Sequence, residues 1–222
     1  MDDTVSYYAH RAPEYDRIYD LPPWQADLQR LHELVSRLFA GRRVFEAACG
    51  TGYWTRVIAQ TATEVFAIDV NETTLAIARS REYARANVRF EQRDAYLPCP
   101  GAPGFDGGHA GFWLSHVDLL RMDTFLAAFH SYLVAGAVVL MMDERETDGR
   151  RRRAPVSRTD AAGNRYELRR LANGDEFEII KNFYDEAFFR QRLRPYTSDV
   201  DVVYEELEHL WTLRYRMRAP TP

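Results

Sequence analysis

The sequence predicts an α/β fold, a mostly parallel sheet covered by helices on both faces and finished by a hairpin and antiparallel strands. Three observations carry that prediction. Between Arg43 and Glu144, apolar strand-like runs alternate with helical segments; the first run breaks into a Gly-x-Gly turn at Gly50 and Gly52; beyond Glu144 the pattern changes to alternating runs joined through Asn173-Gly174. Strand and helix succeeding each other at this pace favour right-handed crossovers, and therefore parallel strands buried on both sides.

The first forty residues read as helical. Pro22 and Pro23 open "PPWQADLQRLHELVSRLFAG" and Gly41 closes it, the order expected of a proline-started, glycine-stopped helix. Trp24, Leu28, Leu31, Val35 and Leu38 recur at spacings of four, three, four and three, which lays them on one face for packing. The strand-like runs that follow are "VFEAA", "EVFAID", "VRFEQ", "GGHAGFWL" and "AVVLMMDE", and between them lie "YWTRVIAQ", "NETTLAIARSREYAR" and "MDTFLAAFHSYLV". The stretch "RETDGRRRRAPVSRTDAAGN" is polar and too long for a tight connection, so it reads as a mobile surface loop. Its arginines, Arg150 to Arg153, are expected in solvent, offset by Asp143, Glu144, Glu146 and Asp148. "RYELRRL" and "EFEIIKNF" flank "ANGD" as a hairpin. A short helix at "DEAFFRQRL" then precedes the strand-like "DVDVVYEEL" and "HLWTLRYRM".

Composition excludes several classes. A chain of 222 residues with 46% hydrophobic content can bury a substantial core. A formal charge of −4 provides no global field for nucleic acid or an anionic membrane, and no segment approaches the ~18 apolar residues of a membrane span. Cys49 and Cys99 are the two cysteines, too few for a disulfide framework or a zinc pattern, which favours a reducing compartment. The start, "MDDTVSYYAHRAPEYD", lacks the basic and apolar regions of a signal peptide, and a cytoplasmic location is expected.

The glycine turn points to a ligand. In open parallel sheets, ligands sit outside the carboxyl ends of the strands, where the first strand-to-helix turn offers backbone N–H groups. A dinucleotide site would place a third glycine where Thr55 stands, because the helix must come close to the pyrophosphate. Asp69, ending "EVFAID", is positioned to take the hydroxyls of a ribose. Glu46 lies inside the first strand, where a buried carboxylate costs several kcal/mol unless it meets a donor or a cation. A cationic ligand would relieve that cost.

In these residues the chain resembles the class I S-adenosylmethionine-dependent methyltransferases. Glu46-Ala47-Ala48-Cys49-Gly50-Thr51-Gly52 is similar to the family's first motif, with Ala48 in place of its first glycine. The resemblance implies a Rossmann-like fold with a seven-stranded, mostly parallel sheet. It also implies that Glu46 neighbours the aminoacyl end of the cofactor, that Ala48, Gly50 and Gly52 admit it, and that Asp69, followed by Val70, binds the ribose hydroxyls. "FEQRDAYLP" resembles the third-strand motif, in which Asp94 would accept from the adenine amino group and Ala95 would offer backbone. "FDGGHAGFWLSHV" resembles the fourth-strand motif beside the reacting methyl, with Phe112 or Trp113 against the cofactor and His116 as candidate general base. "YYAHRAPEYDRIY" is similar to the aromatic lid of small-molecule members, with Tyr8 and Arg11 as its closing residues.

These readings make residues 1–222 one domain: a helical lid (1–41), a cofactor-binding core (42–144), and a hairpin insertion with C-terminal antiparallel strands (145–222). The expected activity is methyl transfer from S-adenosylmethionine to an oxygen or nitrogen of a small molecule, leaving S-adenosylhomocysteine. Neither an Asn-Pro-Pro-Tyr nor a Pro-Cys motif stands at the fourth strand, which disfavours nucleic-acid substrates; Cys99, in "LPCP", falls in a preceding loop. A nicotinamide-dependent oxidoreductase and a non-catalytic binding module remain open as alternatives, as does the choice between monomer and homodimer.

Overall fold

Alternating burial along the strands determines how the layers assemble. In the computed structural model, which describes residues 3–101 and 104–218, the strands β1 (Arg43–Ala47), β2 (Glu64–Asp69), β3 (Val88–Gln92), β4 (Phe105–Gly111) and β5 (Leu133–Glu144) are joined by β9 (Val203–Glu206) and β10 (Leu210–Arg216). They form one seven-stranded sheet in the order β3-β2-β1-β4-β5-β10-β9. The first five run parallel, and β10 is antiparallel to both of its neighbours. The strand order reverses between β1 and β4, so the carboxyl ends of these two strands flank the crevice that such sheets use for ligands.

Successive side chains point to opposite faces. Val44, Val65, Leu140 and Met142 pack beneath Leu28, Leu31 and Val35 of α2 (Gln25–Leu38) and Val57 and Ile58 of α3 (Tyr53–Ala59). Phe45, Phe66, Val139 and Met141 face Phe125 and Phe129 of α5 (Met122–His130) on the other side. The ring of Tyr132 stacks on Phe45 at 3.8 Å, closing that face. Alternation along β1 therefore puts Glu46 on the α2 and α3 side.

Several elements differ from the sequence reading. Helix α4 (Glu72–Ser80) stops five residues before the expected Arg85: Arg81 turns out to extended backbone, and Tyr83 folds back so that its hydroxyl donates to the Ala78 carbonyl at 2.8 Å. β4 ends at Gly111, and Phe112, expected within the strand, takes a left-handed φ of 57° just beyond it. The hairpin forms as expected, β7 (Arg165–Arg170) against β8 (Glu176–Ile180), with Gly174 at φ 94°, but with β6 (Arg158–Thr159) it makes a separate three-stranded sheet.

The expected solvated loop needs the largest correction. Residues Asp148–Arg153 form the short helix α6, capped by the Thr147 hydroxyl on the Arg150 amide at 3.1 Å. Arg150 is 4% exposed, with Glu144 and Glu167 each at 2.7 Å. One arginine of the run is thus a buried partner of two carboxylates. Helix α7 (Glu186–Leu193) follows the hairpin sheet and buries Phe189 and Leu193.

A candidate cofactor cavity at the glycine turn

The turn after β1 is built around Asp69. Its Oδ2 accepts from the Gly50 amide and its Oδ1 from the Asn71 amide, each at 2.8 Å, so one carboxylate ties the glycine turn to the end of β2. Burial raises the Asp69 pKa, and these amide donors oppose the rise. Asn71 in turn caps α4 through the Thr73 amide at 3.0 Å and donates to the Val5 carbonyl of helix α1 (Asp3–Arg11) at 3.1 Å. The amino-terminal helix is thereby held across the crevice.

Glu46 is 2% exposed and accepts the Thr55 hydroxyl on Oε2 at 2.6 Å. No cation pairs with it among the described residues, and burial raises its pKa to about 8. Thr55, which occupies the place of a dinucleotide site's third glycine, has the separate task of orienting this acid.

The two glycines play different parts. A Cβ on Gly50 would point into open space, whereas one on Gly52 would come within 2.8 Å of the Tyr83 hydroxyl and 3.0 Å of Ala78 Cβ. Gly52, at φ 77°, serves the packing of the turn on α4 and does not line the cavity. Ala48 takes a φ of 52°, so it carries the strain that the motif's usual glycine avoids.

Glu46, Ala48, Gly50, Asp69, Val70, Asp94, Ala95, Phe112 and Tyr8 line one cavity at the carboxyl ends of the strands. Tyr15, Tyr19, Trp54 and Thr74 also line it without having been singled out as cofactor contacts, and Trp113, the expected alternative to Phe112, lines it too. Their aromatic spacing is visible in the sequence, but which rings turn inward is decided by contacts such as the Tyr19–Tyr53 stack at 3.6 Å. Asp94 is anchored by the Tyr96 amide at 2.9 Å. The indole N–H groups of Trp54 and Trp113 are buried with no acceptor in the protein. Buried donors without a protein partner are uncommon, and in a cavity wall a ligand or a bound water can satisfy them.

A family profile described as a methyltransferase domain matches residues 44–136. Two curated relatives, each named "Probable S-adenosylmethionine-dependent methyltransferase", come from Mycolicibacterium smegmatis and Mycobacterium tuberculosis. They are 42% identical over 77 residues, which is 33% of this chain and 29% and 27% of theirs. The match thus spans less than a third of either relative. Over the whole chain, the solved structure described as a DhpI-SAH complex superposes with a TM-score of 0.76 at 26% identity, covering 99% of this chain and 97% of that one. A second, a DhpI-SAM-HEP complex, gives 0.75 at 27% identity, covering 96% and 95%. Residues 44–136 thus match a methyltransferase-domain family, and the whole chain is similar to a protein solved with SAH and with SAM.

A second cavity adjoins the first, and Tyr8, Tyr15 and Phe112 line both. Arg11 and His116 belong to the second and not to the first. Arg11 donates to the Tyr7 hydroxyl at 2.8 Å and lies over the Tyr15 ring. His116 is held from both sides, with Nδ1 at 2.6 Å from the Ile180 carbonyl and Nε2 at 2.8 Å from the Tyr8 hydroxyl. A carbonyl can only accept, so Nδ1 carries the proton and Nε2 accepts from Tyr8. Burial, reinforced by the Lys181 ammonium, lowers the His116 pKa to about 3.

The amino-terminal segment is latched at a second point that the sequence does not reveal. Thr51 in the glycine turn donates its hydroxyl to Asp16 at 2.6 Å, and Arg81 pairs with the same carboxylate while donating from Nε to the Thr51 carbonyl at 2.5 Å. Asp16 lies in the 3-10 segment Ala12–Asp20 that continues α1.

Proposed function

We propose that the chain transfers the methyl group of S-adenosylmethionine to an oxygen or nitrogen of a small-molecule acceptor, releasing S-adenosylhomocysteine. One observation carries the reading: a buried Glu46 with no cation paired to it among the described residues and the buried carboxylate of Asp69 flank a glycine turn, and two indoles whose N–H groups have no acceptor in the protein line the same cavity. The solved neighbours described with SAH and with SAM are in keeping with it. When bound, the cofactor supplies an electrophilic methyl on a sulfonium cation.

The chain's own residues supply position and dryness. Glu46 offers a carboxylate to the cationic portion of the ligand, Asp69 has lone pairs left for ribose hydroxyls, and Asp94 faces the adenine end. Rings of Tyr8, Tyr15, Tyr19 and Phe112 exclude water, and aromatic faces favour a cation. A dry site that aligns donor and acceptor supplies a large part of such a barrier reduction. With both ring nitrogens engaged, His116 acts as a positioning residue that holds Tyr8 over the partition between the cavities.

The deciding experiment compares thermal shifts with S-adenosylmethionine, S-adenosylhomocysteine and NADH, alongside mass spectrometry of any copurifying ligand. Stabilisation by the first two and not by NADH supports the reading. Stabilisation by NADH alone overturns it.

A further inference from the structure

The cavity that adjoins the cofactor site is cationic beyond what the protein compensates. Arg11, Arg150, Arg153, Arg169 and Lys181 line it, and Glu144 is the one carboxylate in its lining. Two of these cations are structural. Arg150 is spent on Glu144 and Glu167, and Lys181 on Asp143 at 3.2 Å and the Ser115 hydroxyl at 2.9 Å. The remaining three are under-compensated. Arg11 donates to a neutral phenol. Arg153 reaches Glu144 only at 3.7 Å, an acid already paired with Arg150. Arg169 gives one nitrogen to Glu167 at 2.5 Å, a carboxylate shared with Arg150, while its Nε is buried without a partner. Guanidinium groups bind planar or tetrahedral oxyanions through paired N–H donors, and an anion here would relieve uncompensated charge in a partly dry wall.

The partition between the cavities carries a second message. Of the residues common to both, Tyr8 donates its proton to His116, Phe112 has none to exchange, and burial raises the pKa of Tyr15. No side chain at that boundary is free to take a proton from an acceptor. An acceptor that arrives already ionised needs no such base.

We infer that the acceptor is a small oxyanion gripped by Arg11, Arg153 and Arg169 and methylated on its own ionised oxygen. This rests on the methyltransferase reading above. An oxygen lone pair forms the new C–O bond, the C–S bond breaks with its electron pair going to sulfur, and the sulfonium becomes a neutral thioether. Anion and cation neutralise each other, and no proton is released. Desolvation accelerates a step of this charge type, which suits a lid held shut over both cavities.

The test has a binding arm and a turnover arm. Inorganic phosphate and acetate are titrated against chloride at constant ionic strength, with thermal shift as readout, on the wild type and on Arg153→Gln, whose side chain is 61% exposed and separable from folding. At least one oxyanion should stabilise the wild type well beyond chloride, with its apparent affinity falling about tenfold in Arg153→Gln and recovering in Arg153→Lys. Small carboxylates, fully ionised at about pH 7, are then compared with neutral alcohols in weakly buffered indicator solution, following S-adenosylhomocysteine formation and acid release together. Turnover of an oxyanion without proton release supports the proposal. Oxyanions no better than chloride, or turnover of neutral acceptors with one proton released per methyl, overturns it. Binding of S-adenosylmethionine is measured separately by calorimetry. If that binding is absent while oxyanions still bind, the methyltransferase reading fails and the anion site stands; if it is present while oxyanions do not bind, the anion site alone fails.

Discussion

The Thr55 hydroxyl stands 2.6 Å from Oε2 of Glu46, inside the core and nine residues further along the chain. It is the one side-chain donor that reaches this carboxylate among the described residues, and it opposes the rise in pKa that burial causes. Thr55→Val keeps the shape of the side chain and removes the donor. Losing a hydrogen bond to a buried charged group costs roughly 1.5–3 kcal/mol. The variant is expected to bind S-adenosylmethionine at least tenfold more weakly by calorimetry while keeping the wild-type circular dichroism spectrum.

The ligand-free protein should have an asymmetric stability profile. Glu46, raised from 4.5 to about 8, holds a proton in the folded state that the unfolded state has released. Its contribution is complete below about pH 4.5 and is lost as pH climbs through 8. His109 (lowered to about 4), His116 and His130 (each lowered to about 3) act in the opposite sense, since the unfolded state binds more protons from about pH 4 up to 6.5. Denaturant titrations should therefore show stability increasing towards pH 6.5 and decreasing beyond it, by on the order of 1–2 kcal/mol before pH 8. In Glu46→Gln the decline above pH 6.5 should disappear.

The glycine turn separates folding from binding. Gly52→Ala places a methyl against Tyr83 and Ala78 at a φ of 77°, so it should lower the melting temperature by several degrees. Gly50→Ala meets no atom within 4 Å and should spare more stability while blocking the ligand. Ala48→Gly relieves a left-handed alanine at φ 52° and should stabilise the protein by about 1 kcal/mol in urea titrations.

Asp16 joins the amino-terminal segment to the glycine turn through Thr51 and to the end of α4 through Arg81. Asp16→Ala should loosen the lid, seen as faster amide exchange across Asp3–Asp20, and should raise the off-rate of S-adenosylhomocysteine severalfold. Unchanged exchange in that segment would show that the lid is held elsewhere, for instance by Asn71 on the Val5 carbonyl.

What the sequence made legible was short-range. The strands of the parallel sheet announced themselves as apolar runs, and Glu46 and Asp69 stood out because acids at those positions of an apolar strand demand a reason. The hairpin was legible from Asn173-Gly174 because the turn chemistry is local, and Gly174 does take the required positive φ. Contacts between distant residues were not. The role of Gly52 depends on Tyr83, which reaches it only because α4 stops early. The burial of Arg150 depends on Glu167, seventeen residues away in another sheet, and the engagement of His116 depends on Tyr8, 108 residues earlier. Composition around Arg150 gave the opposite signal: Arg151, Arg152 and Arg153 are exposed as a charge run suggests, and only Arg150 turns inward to Glu144 and Glu167.

Calorimetry of S-adenosylmethionine binding at pH 7, in two buffers of different ionisation enthalpy, bears most directly on the claim that Glu46 holds the cationic ligand. With its pKa raised to about 8, Glu46 is mostly protonated in the free protein and must ionise to face a cation. The wild type should therefore release close to one more proton per ligand bound than Glu46→Gln, which should also bind at least tenfold more weakly. Equal affinities and equal proton counts in the two proteins would contradict the account.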